Sequence, residues 1–138
     1  MAEAFLRQAA GKTINIASAG SEPSGYVHPL AIKAMAEIGI ELQSARSKSL
    51  DEFQGRDIET LITVCENAGR ACHAFPGHTR HYHWEFRDPA VAQGSEAERL
   101  KIFRKVRDEI AQTFTAYGRG RLDGANAAEP GEPCATID

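Results

Sequence analysis

Cys65 and Cys72 flank a short polar stretch, Glu66-Asn67-Ala68-Gly69-Arg70-Ala71, in a chain that holds only one other cysteine, Cys134. Six intervening residues let two cysteines bridge if the segment bends back, since a disulfide needs the Cα atoms within about 7 Å. Cys65 closes an apolar run and is equally readable as a small core residue, the common fate of a free cysteine. Cys72 lies in a polar stretch where thiolate reactivity is the more natural role. Downstream stands Asp88-Pro89, an aspartate whose backbone is restricted by the following proline. Asp before Pro also starts ordinary turns. Its chemical reading is a general acid beyond the carboxyl end of a strand, where open α/β sheets bind ligands. Two thiols and a positioned acid point to redox chemistry coupled to an acid-assisted displacement.

Two competing uses of these residues fare worse. Cys65, Cys72, His73, His78, His81 and His83 could supply zinc ligands, but the two-residue knuckle spacing of structural zinc sites is missing, so no metal is expected. An anion loop of the phosphatase kind needs a cysteine and an arginine with five residues between them, so that successive amides surround the oxyanion. Cys65 and Arg70 have only four between them, and Glu66 would set a carboxylate against the anion.

The elements that must position these residues can be read from periodicity and punctuation. Met1, Ala4, Phe5 and Leu6 make one face of an opening helix that lacks a capping residue and stops at Gly11. Thr13-Ile14-Asn15-Ile16-Ala17 alternates with strand period. Pro29 opens a second helix with a stripe of Leu30, Ala31, Ala34, Met35 and Ile38, ending near Gly39. Ser47 to Phe53 is a short helical or looped segment. Glu59 to Cys65 is the strongest strand, a β-rich run of the kind buried in parallel sheets. A short strand follows around Tyr82 to Phe86. Ser95 with Glu98 is a capping box opening a long helix with the stripe Leu100, Phe103, Val106, Arg107 (by its stem), Ile110 and Phe114, closed by Gly118. Strands alternating with helices predict an α/β sandwich with a parallel sheet. The expected organisation is one domain over 1–117 and a flexible tail over 118–138, rich in Gly, Pro and Ala.

Composition excludes several classes. With 16 Lys and Arg against 19 Asp and Glu, both signs mixed along 138 residues, the chain lacks the basic footprint of a nucleic-acid binder. No apolar run approaches a membrane span. An odd, small number of cysteines fits a reducing cytoplasm better than a disulfide scaffold.

Taken in order, the pieces resemble the arsenate reductases of the low-molecular-weight phosphotyrosine phosphatase superfamily. The resemblance is carried by Met1-Ala2-Glu3-Ala4-Phe5-Leu6-Arg7, Ser18-Ala19-Gly20, Val27-His28-Pro29-Leu30-Ala31, Glu37-Ile38-Gly39-Ile40 and Ser47-Lys48. It continues through Leu61-Ile62-Thr63-Val64-Cys65, Phe75-Pro76-Gly77, His83-Trp84 to Asp88-Pro89, and Phe103 to Ile110, and it spans Met1 to about Tyr117. It implies a three-layer sandwich with a small parallel sheet. It also implies that a loop cysteine attacks arsenate while Asp88, the general acid, protonates the departing oxygen. Cys65 would then be the redox thiol that releases arsenite and Cys72 the thiol that resolves the resulting disulfide. No bound cofactor is implied; thioredoxin or a similar dithiol would be the reductant, and arsenate or an aryl phosphate the oxyanion.

The sequence departs from that pattern at one place. Members begin with a central strand and a Cys-x5-Arg loop before the helix matching Met1-Ala2-Glu3, and neither is present here. The expectation adopted is that the start lies upstream of Met1 and that the chain is inactive alone. Two other readings stand beside it: a non-catalytic relative whose incomplete sheet is shared with a second copy in a dimer, and a substitute nucleophile at Cys134. A phosphotyrosine phosphatase is the alternative activity within the superfamily.

Overall fold

A computed structural model describes residues 1–12, 14–20, 24–64 and 80–123, with 121–123 described by their backbone alone. Among the described residues three α-helices are arranged about the longest of them, α3 (Glu96–Asp123). Helix α1 (Ala2–Ala10) buries Phe5, Leu6 and Ala10, and α2 (Pro29–Ala36) buries Leu30, Ala31, Ala34 and Met35; both pack against α3. Strand β1 (Thr60–Thr63) pairs in parallel with β2 (Arg80–His83), Thr60 opposite Arg80 and Thr63 opposite His83. The α/β class and the small parallel sheet are thus as the sequence implies.

Each helix follows from its residues. α1 begins at Met1 with no side-chain cap and ends at Gly11, whose φ of 64° suits a residue without Cβ. At α2 the fixed φ of Pro29 preorganises the first turn, and His28 Nδ1 accepts from the Leu30 amide at 3.1 Å. The box at α3 closes in both directions: Glu98 N donates to Ser95 Oγ at 3.2 Å, and Ser95 N donates to Glu98 Oε2 at 3.0 Å. From there Leu100, Phe103, Val106, Ile110, Phe114 and Tyr117 face the core, and Phe103 is only 1% exposed.

The sheet rests on the second half of α3 through aromatic side chains. Tyr82 of β2 lies 5.7 Å from Tyr117, and Trp84, just beyond β2, lies 5.2 Å from Phe114 and 5.4 Å from Tyr117. These edge-on contacts are a favoured arrangement of aromatic quadrupoles. They hold the carboxyl end of β2 against a rigid helix.

Four expectations need correction. Residues 14–19 form no ladder among the described residues; the single bridge there joins Gly20 to Ser49. Alternation gives a segment the side-chain pattern of a strand, but a strand exists only by pairing. The second strand is Arg80–His83 rather than Tyr82 to Phe86: the paired residues end at His83, and just beyond them the Trp84 ring packs on Phe114 of α3. Ile38 lies past the end of α2 and is 45% exposed, outside the stripe assigned to it. Finally, α3 does not stop at Gly118 but runs on to Asp123. An ideal Cβ on Gly118 would sit 2.6 Å from Ala9 Cβ and 3.2 Å from Leu6 Cδ1, so this glycine is the point where α1 crosses α3 closely. Residues 124–138 of the expected tail lie outside the described residues.

Arg107 also differs from its expected role. It is buried as a whole, not by its stem alone, and Nη1 donates to the Ala34 carbonyl at 2.8 Å. That bond satisfies a carbonyl in the last turn of α2, while Nε donates to Asp108 at 2.7 Å. Beside it, Arg104 forms a two-pronged bond to Glu37 at 2.7 and 2.8 Å. The two arginines fasten the end of α2 to the middle of α3.

Candidate functional site

The carboxyl ends of β1 and β2 place two polar residues side by side. Thr63 is buried, and its hydroxyl lies 2.8 Å from His83 Nδ1 and 3.3 Å from the Tyr82 carbonyl, to which it donates. Two backbone bonds lie just past the paired residues, Trp84 N donating to Thr63 O at 2.9 Å and Phe86 N to Val64 O at 3.3 Å. The His83 side remains exposed. In open parallel sheets this is the end at which ligands bind, because strands stop there and loops diverge.

Five residues beyond His83 the chain reaches Asp88. Asp88 is exposed and extended, with φ −74° and ψ 110°, and its Oδ1 accepts from the Ala90 amide at 2.9 Å. Pro89 then opens a short 3-10 turn, Pro89–Val91. The ordinary turn-forming role of Asp-Pro is therefore present. Asp88 is exposed as a residue even while Oδ1 caps the turn, so capping and acid chemistry are compatible at one side chain.

Cys65 and Cys72 lie outside the described residues, as do Cys134, His73 and His78. Of the residues weighed as metal ligands, His81 and His83 are described; they sit on β2 opposite Leu61 and Thr63. Among the described residues no group of three or more His, Cys, Asp or Glu side chains converges on one point.

A second polar region went unread in the sequence. The Glu3 carboxylate on α1 accepts from Ser18 Oγ, pairs with Arg7 at 2.8 Å, and lies 3.5 Å from Lys48 Nζ. Burial works to raise the Glu3 carboxyl, yet the Ser18 hydrogen bond with the Lys48 and Arg7 charges outweighs it and holds the group below the usual glutamate range. Arg7 also donates to the Ile16 carbonyl at 2.6 Å. Beside this cluster opens a shallow cleft of about 250 Å³ whose lining includes Ser18, Ser24, Arg46 and Lys48. It looks basic, but Arg46 is held by both oxygens of Glu52 at 2.9 Å and Lys48 is turned to Glu3, so its cations are already answered by carboxylates. The cluster fastens α1 to the extended segment and to the loop at Lys48. No local signal could have found it, since its members are brought together only by the fold.

Comparison with known proteins places these features in a wider group. The family described as low molecular weight phosphotyrosine protein phosphatase matches residues 1–122. A protein named arsenate reductase from Halalkalibacterium halodurans is 38% identical over 122 residues, covering 86% of this chain and 87% of that protein. The arsenate reductase of Bacillus subtilis is 39% identical over 117 residues, covering 85% and 84%. Among solved structures, an arsenate reductase in its oxidized state superposes with a TM-score of 0.70 at 25% identity, over 89% of this chain and 85% of that one. A reduced-state arsenate reductase gives 0.63, also at 25% identity, over 91% and 87%.

Proposed function

This chain belongs to the low molecular weight phosphotyrosine protein phosphatase family, and from that premise we propose that it is of the arsenate reductase type, working through a cysteine relay. The observation that carries the reading is the extent of its likeness to proteins named arsenate reductase, which covers more than four-fifths of both partners. The residues then take these roles. A nucleophilic thiolate attacks arsenate, and Asp88 gives a proton to the departing oxygen. The Cys65 thiolate attacks the arsenic-bearing sulfur; the S–As bond breaks and its electron pair stays on arsenic, which leaves as arsenite. Cys72 then attacks Cys65, frees the first thiol and leaves a Cys65–Cys72 disulfide. Thioredoxin or another dithiol reduces that bond and is itself oxidised. A reducing, cytoplasmic setting suits this cycle.

No cysteine of the 138 residues has an arginine six positions later, so the Cys-x5-Arg anion loop is not part of this sequence. Preorganised donors around the developing charge are usually the largest catalytic contribution. The chain alone is therefore expected to show negligible arsenate turnover, and robust turnover by it would overturn that expectation. The relay itself is tested without turnover. Mild oxidation should yield an intramolecular Cys65–Cys72 disulfide, identified by peptide mass mapping, with Cys134 left reduced, and thioredoxin should reopen it. Failure of the pair to close would refute the relay.

The family's own description favours a second reading, hydrolysis of an aryl phosphate. Here Cys72 is incidental. Where the anion loop is supplied, Cys72→Ser should abolish arsenate reduction and spare aryl-phosphate hydrolysis if the relay is right. A non-catalytic relative that shares its sheet with a second copy would instead form a stable dimer in solution.

A further inference from the structure

Helix N-caps are mostly Ser, Thr, Asp or Asn, whose side-chain oxygens accept a hydrogen bond throughout the neutral pH range. At α2 the cap is His28, and the group that accepts from the Leu30 amide, at 3.1 Å, is a ring nitrogen, Nδ1. An imidazole nitrogen accepts only through its lone pair. The neutral ring carries one N–H, so with Nδ1 accepting, the proton stands on Nε2. The other partner of this ring among the described residues is Phe103 of α3, with ring centroids 4.7 Å apart and an interplanar angle of 33°. Phe103 is buried, so the His28 ring rests on a fixed surface. The backbone is tied at the same point, Ala31 N and Ile32 N both donating to the His28 carbonyl, at 3.0 and 3.1 Å.

The imidazolium ion cannot make this cap. Protonation puts a hydrogen on Nδ1, and two N–H groups would then face each other across the 3.1 Å contact. The Leu30 amide loses its acceptor, and the positive ring lies at the positive end of the α2 dipole. Phe103 acts in the opposite sense, because an aromatic face attracts a cation. That attraction needs only the ring nearby, whereas the cap needs the lone pair, so stacking does not restore the lost bond. We propose that His28 is a pH-sensitive clasp: neutral, it caps α2 and fixes the segment before the helix against α3; protonated, it releases the first turn. Ser24 lies in that segment, lines the shallow cleft beside the Glu3 cluster, and donates to the Tyr26 carbonyl at 2.9 Å. The clasp therefore holds one wall of that cleft.

The charged groups on the surrounding elements are largely engaged elsewhere. On α2, Lys33 pairs with Glu96 of α3 at 3.3 Å. On α3, Arg104 is bound to Glu37 and Arg107 to Asp108, each at 2.7 Å. Met1 packs against the cluster of Leu30 and Phe103, and burial pushes its amine below the ordinary range. Its titration must therefore be separated from that of the ring.

Two measurements on the chain test the clasp. Nitrogen NMR of histidine-labelled protein at pH 8 is expected to show His28 as the Nε2–H tautomer, and an Nδ1–H tautomer overturns the proposal. The second is urea denaturation of the wild type and of His28→Asn at pH 8 and pH 5, a span over which histidines change charge. Asparagine caps well and does not titrate. The Met1 amine, Glu3, Glu37 and the other histidines are present in both proteins, so their contributions cancel in the comparison. The folded-to-unfolded ratio of the wild type, taken relative to the variant, is expected to fall about fivefold from pH 8 to pH 5, the value of one lost cap. A relative ratio that stays constant overturns the proposal. Should His28→Asn fail to fold, the wild type decides alone: the Leu30 amide resonance should titrate together with the His28 ring. An amide that ignores the ring's titration would show that no clasp exists.

Discussion

At the scale of single residues, Asp88 shows how one side chain can carry a structural and a chemical role. One carboxylate oxygen accepts from the Ala90 amide, and an asparagine could accept there equally well. Asp88→Ala is therefore expected to cost about 1 kcal/mol in urea denaturation, and Asp88→Asn only a few tenths. The proposed acid role responds differently, because asparagine has no proton to give to a leaving oxygen. In any preparation that reduces arsenate, Asp88→Asn should lower turnover about a hundredfold or more. Equal stability losses for the two variants would remove the capping account. The residue types of this site were legible in the sequence: two thiols, an Asp-Pro and a histidine-rich stretch. The Thr63–His83 pair was not. It depends on residue 63 standing opposite residue 83, and register between strands distant in sequence is a property of the sheet.

At the scale of elements, helices were legible because their signals are local. The Ser95–Glu98 box and Pro29 at the first turn each act within a few residues and are where they were read, and the 3.6-residue stripes hold except at Ile38, past the end of α2. Gly118 was misread for an instructive reason. Glycine marks a helix end through its backbone freedom, but it also marks a close approach through its missing Cβ, and the local sequence does not separate the two. Helix propensity alone predicts that Gly118→Ala stabilises α3 by about 1 kcal/mol. The 2.6 Å approach of Ala9 Cβ predicts the opposite, since neither backbone can yield without parting α1 from α3. A net destabilisation of about 1–3 kcal/mol is expected, in the range of overpacked cores, seen as a lowered melting temperature. A gain in stability would show that α1 shifts at little cost. The segment 14–19 was misread in the complementary way, since alternation describes faces and says nothing about a partner.

At the scale of the whole molecule, carboxylates hold the helices to their surroundings, and this makes stability depend on acid. The Ser18 bond and the Lys48 and Arg7 charges keep Glu3 below its ordinary range against the opposing effect of burial. Arg104, by hydrogen bond before charge, does the same for Glu37. A carboxyl depressed in the folded state binds fewer protons there than in the unfolded chain, so the unfolded form gains as pH falls. The stabilisation is complete at neutral pH, begins to fade around the unfolded value near pH 4, and is lost as pH drops through the folded values. Glu3→Gln should lower stability at neutral pH and flatten the acid limb of a stability–pH curve. An unchanged acid limb would mean that the cluster joining α1 to Ser18 and Lys48 contributes nothing to folding.

By itself, the sequence determined the α/β class, the three helices seen among the described residues and the strongest strand, the family, and the chemical vocabulary of two thiols and an aspartate. These follow from residue types and from patterns that repeat within a few positions of the chain. Only the tertiary structure decided that Gly118 lies inside a helix beneath α1, that Arg107 is buried to hold the Ala34 carbonyl, that residues 14–19 make no ladder among the described residues, and that Thr63 meets His83. Each of these is a contact between residues distant along the chain. Such contacts are selected by the combined packing of whole elements, and no local pattern encodes which residue will stand on the other side.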